Sequence, residues 1–199
     1  MKGKKSNIVI YILLVILAVI FLAPIFIILF NSFKGKLYIS DAPFKLPTAE
    51  TFSGLQNYID GLSKTGFLSA FGWSIFITFF STIVIVLFTA MTGWYITRSK
   101  TKVSTSLYFI FVFSMIVPFQ MVMFTMSKVA NMLSLDNPIG LIVLYLGFGA
   151  GLSIFMFSGF VKSIPIDIEE AALIDGCNPI KTFFLIVLPL LKPICITVA

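Results

Sequence analysis

Four stretches of this chain carry no charged side chain for 23 residues or more: Ile8 to Phe30, and the runs between Lys64 and Arg98, Lys102 and Lys128, and Asp136 and Lys162. Each exceeds the roughly 18 apolar residues that mark a membrane-spanning helix. Of the 199 residues, 59% are hydrophobic and 11% charged, against about 25% charged in an ordinary soluble domain. A soluble or disordered chain is excluded. The expected fold is an all-α polytopic membrane protein, a helical bundle with four complete transmembrane helices. Beyond Lys192 come seven residues, Pro193 to Ala199, too few to cross about 30 Å of hydrocarbon at about 1.5 Å per residue. The chain is therefore read as stopping at the start of a fifth helix, as a fragment of a longer protein.

Residue types narrow the chemistry. There are 23 Phe and no His, so imidazole acid–base catalysis and imidazole metal ligation are ruled out. Cys177 and Cys195 are isolated thiols, neither a zinc cluster nor a disulfide framework; they read as small buried or interfacial residues, and no metal site is expected. No G-x-x-x-x-G-K-[ST] phosphate loop occurs. No cofactor is expected, and the chain is not read as an enzyme. The net charge of +6 is spread between apolar runs, a topology signal rather than a nucleic-acid patch.

The basic leader Met1-Lys2-Gly3-Lys4-Lys5 resembles the start of a signal peptide, but the run from Ile8 to Phe30 is longer than the roughly 7–15 residues of a signal core. It predicts an uncleaved first helix. With the N-terminus inside, segments 1–7, 97–102 and 162–192 carry nine cations and the outer segments 31–65 and 128–136 carry five. Both sets hold four carboxylates, so the cation bias sets the orientation: N-terminus cytoplasmic. Trp73, Trp94, Tyr95 and Tyr108 lie near span ends and read equally well as headgroup-boundary or core aromatics. The outline is residues 1–65 for the leader, first helix and outer loop, and 66–199 for a membrane core with a cytoplasmic segment, 162–192.

That segment has clear punctuation. Asp167 followed by Glu170 makes a capping-box pattern, Glu169 and Glu170 sit at the positive end of the helix dipole, and Gly176 supplies a left-handed stop. Ile168, Ala171, Ala172 and Asp175 recur at helical spacing, one narrow face of small residues ending in a carboxylate. Asn178 and Pro179 can open a second helix, apolar from Ile180 to Leu188 apart from Lys181 and Thr182, which Pro189 and Pro193 bend or end. The expected product is a helix-turn-helix elbow on the inner membrane face, able either to enter a partner's cleft or to pack on its own bundle.

Glu170-Ala171-Ala172, three residues, Gly176, nine residues, then Ile186-Val187-Leu188-Pro189 resembles the E-A-A-x3-G-x9-I-x-L-P signature of permease subunits of bacterial ABC importers. The shorter stretches Asn31-Ser32-Phe33-Lys34, Gln56-Asn57-Tyr58 and Met115-Ile116-Val117-Pro118 resemble the carbohydrate-uptake subgroup, similar to the smaller membrane subunit of maltose-type importers. Trp73-Ser74 departs from the Asn-Ser pair common there. The resemblance implies a multi-pass subunit in the bacterial cell membrane, with membrane lipid around it. It also implies cytoplasmic ATPase subunits, a second homologous permease and an extracytoplasmic solute-binding protein as partners. Glu170 is then expected to make a charged contact with the ATPase, Ala171 and Ala172 to permit close packing beside Asp175, and Gly176 to make the turn.

The alternatives are a permease for a non-sugar solute, an ATP-independent transporter and a membrane scaffold. The spans hold almost no ionisable groups, which disfavours an ion-coupled carrier. Asn31, Tyr108, Gln120 and Tyr145 are of a type that binds sugars, although each also suits an ordinary interhelical position. Gly147, Gly151 and Gly159 read as close helix packing, and Pro118 as a kink.

Overall fold

The computed structural model describes residues 2–199, with side chains from Ile8 onward; the side chains of the leader cations Lys2, Lys4 and Lys5 lie outside the described residues. The chain divides into two compact units, Met1–Phe71 and Gly72–Ala199. Among the described residues every regular element is helical, apart from one antiparallel bridge between Lys34 and Phe52.

In the first unit, helix α1 (Lys2–Asn31) presents apolar side chains on all sides, and every residue from 8 to 22 is exposed. A helix that is apolar all round needs lipid or protein about it rather than water. Two short helices follow, α2 (Lys36–Asp41) and α3 (Gln56–Lys64). The two polar stretches singled out by the sequence meet here. The Asn57 side-chain amide donates to Ser32 O at 2.8 Å and Lys34 O at 2.7 Å, and the Ser32 hydroxyl pairs with Tyr58 Oη at 2.6 Å. Asn31 donates to Ile27 O and Pro43 O, and Lys34, 1% exposed, donates its ammonium to Ala42 O while lying over the Phe30 ring. These bonds tie the turn after α1 to the segment that follows α2 and to α3.

Helix α4 (Phe67–Ser99) is continuous for 33 residues. The second unit continues with α5 (Lys102–Ser114), α6 (Phe119–Met132), α7 (Pro138–Val161), α8 (Ile166–Ile174) and α9 (Pro179–Thr182). A π-helical turn at Phe183–Val187 leads into α10 (Leu188–Leu190) and α11 (Lys192–Val198). Three helices are long and apolar enough to cross a membrane, α1, α4 and α7, and two bent pairs bring the number to five if each pair is one span. The expectation of four complete helices is thus modified at the third. The run between Lys102 and Lys128 is broken into α5 and α6, bent by 107°. Pro118 lacks an N–H, sits in extended conformation at the start of α6, and disfavours helical backbone at Val117. Helix α5 alone, with 13 residues, is about 20 Å long, short of the hydrocarbon core.

The helix expected from Ile180 to Leu188 is likewise not a plain α-helix. Pro189 removes the N–H that Leu185 O would accept, and the ladder loosens so that Leu188 N–H reaches back to Phe183 O. The chain then bends by 75° before α11.

Close backbone approach sets the packing of the second unit. A Cβ on Gly93 of α4 would stand 2.8 Å from Phe157 Cβ of α7, and one on Gly151 would stand 2.7 Å from Phe111 O of α5. Gly151 therefore packs closely, as its spacing predicts, whereas Gly147 and Gly159 face open space. Their reading as packing glycines is corrected: Gly147 lies one turn along the same side of α7 as Gly151, where α5 has ended and a cavity lined by Ser114 and Val117 opens, and a Cβ on Gly159 would meet no neighbour. The apolar core lies toward the elbow end, where Phe157, Val161, Ile164, Phe183, Val187 and Leu191 are buried together.

Candidate functional site: the elbow and its anchor

Lys162 ends α7, Pro165 stands at the N-cap position of α8, and no side chain caps it. The Asp167–Glu170 capping box does not form. Proline presets the backbone for helix entry, so the helix begins at Ile166 and places Asp167 and Glu169 within its first turn, near the positive end of the dipole.

The C-terminus matches its expectation closely. Gly176 has φ +83°, its N–H bonds Leu173 O at 3.1 Å, and Cys177 N–H bonds Ala172 O at 2.9 Å. This is the paired-bond stop that a left-handed glycine permits. Asn178 then caps α9, accepting from Lys181 N–H at 2.8 Å, with Pro179 in the first turn.

A residue the sequence reading did not single out for contact carries the geometry. Glu169 is 6% exposed. Its Oε2 accepts from the Trp94 indole N–H at 2.9 Å, and its Oε1 accepts from Arg98 Nε at 3.0 Å and Nη2 at 2.7 Å. Arg98 Nη2 also donates to Ile164 O, at 2.9 Å. The planar guanidinium holds the carboxylate through two nitrogens while also serving the carbonyl, a two-point grip that a single-nitrogen ammonium lacks. Trp94 packs against Phe183 with ring centroids 5.5 Å apart. The C-terminal end of α4 is thereby joined to the α7–α8 turn, to α8 itself and to the π-turn. Of the two readings open for Trp94, the structure selects the core one; Trp73 and Tyr95 are exposed.

The five residues expected to meet a partner divide by face. Glu170, Ala171, Asp175 and Gly176 are exposed, while Ala172 is 4% exposed and turned inward. Ala172 follows Glu169 by three residues, so the two share the anchored side of α8. The small-residue face expected from Ile168, Ala171, Ala172 and Asp175 is split accordingly. A cleft of about 290 Å³ runs beside the anchor, with Arg98, Ile166, Glu170 and Leu173 in its wall.

The candidate sugar residues are not gathered into one site. Asn31 belongs to the first unit, where its amide hydrogens are taken by backbone. Gln120 and Tyr145 are exposed, and Tyr108 lies beneath the Lys162 ammonium, 5.9 Å from the ring centroid. Among the described residues no group of His, Cys, Asp or Glu is arranged to hold a metal.

Comparison with known proteins places these features in context. Residues 85–199 match the family model for the binding-protein-dependent transport system inner membrane component. The chain is 37% identical over 185 residues to a probable starch degradation products transport system permease protein, AmyC, of Thermoanaerobacterium thermosulfurigenes, covering 93% of this chain and 66% of that protein. It is 33% identical over 186 residues to the multiple sugar-binding transport system permease protein MsmG of Streptococcus mutans, covering 92% and 66%. The fold matches a chain of a bacterial ABC transporter involved in the import of the acidic polysaccharide alginate, with TM-score 0.81 and 24% identity over 99% of this chain and 69% of that one. The chain spans about two thirds of the length of the curated relatives it matches.

Proposed function

Since this chain belongs to the family of binding-protein-dependent transport system inner membrane components, a multi-pass membrane family, we propose that it is a permease subunit of an ABC importer for a sugar or oligosaccharide. Relatives named for starch degradation products and multiple sugars support the substrate class. In this reading residues 66–199 are the permease core, the N-terminus is cytoplasmic, and the bent α5–α6 pair serves as one span beside α1, α4 and α7. Its partners are a separate cytoplasmic ATPase, a second permease subunit and an extracytoplasmic solute-binding protein, in a bacterial cell membrane.

The observation that carries the proposal is the division of α8 into an anchored side and a free side. Glu169 holds the helix to α4 and Ala172 is buried on the same side, while Glu170, Ala171, Asp175 and Gly176 are left to the solvent. Glu170 supplies a carboxylate for a cation on the ATPase, Ala171 lets the two backbones come close, and Gly176 ends the helix where the partner's groove must end. Movement of the ATPase against this face is passed through the Glu169–Arg98 pair to α4 as a rigid-body displacement.

The test is co-purification of the full-length protein from its native membrane, comparing wild type with Glu170→Lys and Gly176→Pro. An ATPase subunit and a second permease should accompany wild type, and the ATPase should be lost from both variants. Glu170 is exposed, so its reversal should leave insertion and the second permease in place. Equal recovery of the ATPase with all three proteins would contradict the proposal.

A further inference from the structure

Where α4 turns into α5, a cavity of about 290 Å³ is bounded by Thr97, Lys100, Thr105, Tyr108 and Lys162 among its polar walls, with Phe109 on its apolar side. No carboxylate lines it. Among the described residues the ion pairs are Lys64–Asp60 and Arg98–Glu169, so both lysines of the cavity are without a counter-charge. Glu169, the carboxylate bound at the end of α4, is already occupied by Arg98 and Trp94. Lys162 is steadied over the Tyr108 ring, an arrangement that holds an ammonium in place without neutralising it. Lys100 is held in the left-handed backbone region, φ +42°, at the two-residue corner joining the helices.

A second, wholly apolar hollow of about 420 Å³ begins at the same Phe109 and runs along the outside of α5 past Ile110 and Phe113 to Ile116. The two share a wall. A cationic, hydroxyl-lined pocket that shares a wall with an apolar groove along a membrane helix matches a molecule with an anionic head and a hydrocarbon tail. Basic pockets between spans on the inner side suit acidic lipid headgroups.

We infer that the α4–α5–α7 corner is a binding site for one anionic phospholipid, its phosphate between Lys100 and Lys162 and an acyl chain along Phe109 to Ile116. The same phosphate chemistry could be offered by a free anion. The apolar groove is what assigns the site to lipid, since inorganic phosphate has nothing to place there. The placement of this corner at the inner leaflet rests on the proposed function, but lipid retention is read on the full-length chain without its ATPase, so the two readings fail separately.

The experiment is native mass spectrometry of the full-length protein released from nanodiscs of equimolar phosphatidylglycerol and phosphatidylcholine. Wild type should retain one phosphatidylglycerol with a preference of about 25-fold, at roughly five-fold per lysine near a membrane surface. Lys100→Gln with Lys162→Gln should bring the preference to about parity, whereas Lys128→Gln, on exposed α6, should leave it unchanged. Glycerol phosphate, the head without the tail, should fail to displace the retained lipid at equal concentration. No preference in wild type, an unchanged preference in the double variant, or displacement by glycerol phosphate or inorganic phosphate as effective as by long-chain lipid would overturn the assignment.

Discussion

Replacing Arg98 with alanine is expected to destabilise the protein by about 3–5 kcal/mol, the usual consequence of removing one member of a buried ion pair. The magnitude comes less from lost attraction than from what remains. Glu169, 6% exposed, would keep only the Trp94 indole as a donor, and Ile164 O would lose its partner. Arg98→Lys should recover part of the loss, because an ammonium lacks the second nitrogen, Nε, with which the guanidinium grips Glu169 Oε1 beside Nη2. Replacing Arg98 and Glu169 together by methionine should recover most of the stability, since well-packed apolar residues commonly substitute for a buried pair. It should not recover ATP-driven transport, because the directional tie between α8 and α4 is gone. Heat denaturation of the full-length protein in detergent, alongside uptake in vesicles, separates the two effects. Wild-type stability in Arg98→Ala would show that the pair does not anchor the elbow.

Gly93→Leu is the second large expected effect. Even a methyl group there would lie 2.8 Å from Phe157 Cβ and 3.2 Å from Ser158 N. The second of these is backbone and cannot rotate away. Between spans, association depends on close packing rather than on removal of apolar surface from water, so separating α4 from α7 forfeits the main source of cohesion. A leucine should cost at least about 3 kcal/mol, the upper end of what overpacking exacts. Gly147→Leu is the control, because a side chain there meets open space and should change stability by no more than about 0.5 kcal/mol. The two variants differ in position and not in chemistry, so equal stability losses, again read by heat denaturation in detergent, would show that the α4–α7 crossing is placed wrongly.

The contrast also shows what the amino-acid sequence could reveal. The small-x-x-x-small spacing of Gly147 and Gly151 puts both on one side of the helix but cannot say how far along it a neighbour stays close; only at Gly151 does one. Gly93 has Thr89 and Thr97 at the same spacing, and its role likewise depends on Phe157, brought beside it by the fold. Local chemistry fared better. The stop at Gly176 and the cap at Asn178 rest on contacts within a few residues, and both occur where the pattern puts them. The capping box at Asp167 failed for a local reason of the same kind, since Pro165 starts the helix earlier.

Glu169 and Glu170 were legible together as carboxylates favouring a helix start, but not apart. Which one turns inward is decided by Arg98, 71 residues away. One signal was available: Arg98 is the single arginine among 14 cations, at the end of a long span, where a fork of donors is worth more than a point charge. The broken third span was half visible, because Pro118 announces an interruption but not its angle. The meeting of Asn31-Ser32-Phe33-Lys34 with Asn57-Tyr58 was carried in the sequence only by resemblance; bonds across 23 to 26 residues leave no periodic trace.

The central claim is that α8 is held by one side and offers the other to an ATPase. It is tested most directly by cysteine cross-linking in the native membrane, on full-length protein with Cys177 and Cys195 changed to serine. A single cysteine is placed at Ala171, which is exposed, or at Ala172, which is 4% exposed. The account predicts a cross-link from Ala171→Cys to a cytoplasmic ATPase subunit, sensitive to ATP, and little or none from Ala172→Cys. Equal cross-linking from both positions, or from Ala172→Cys alone, would contradict it.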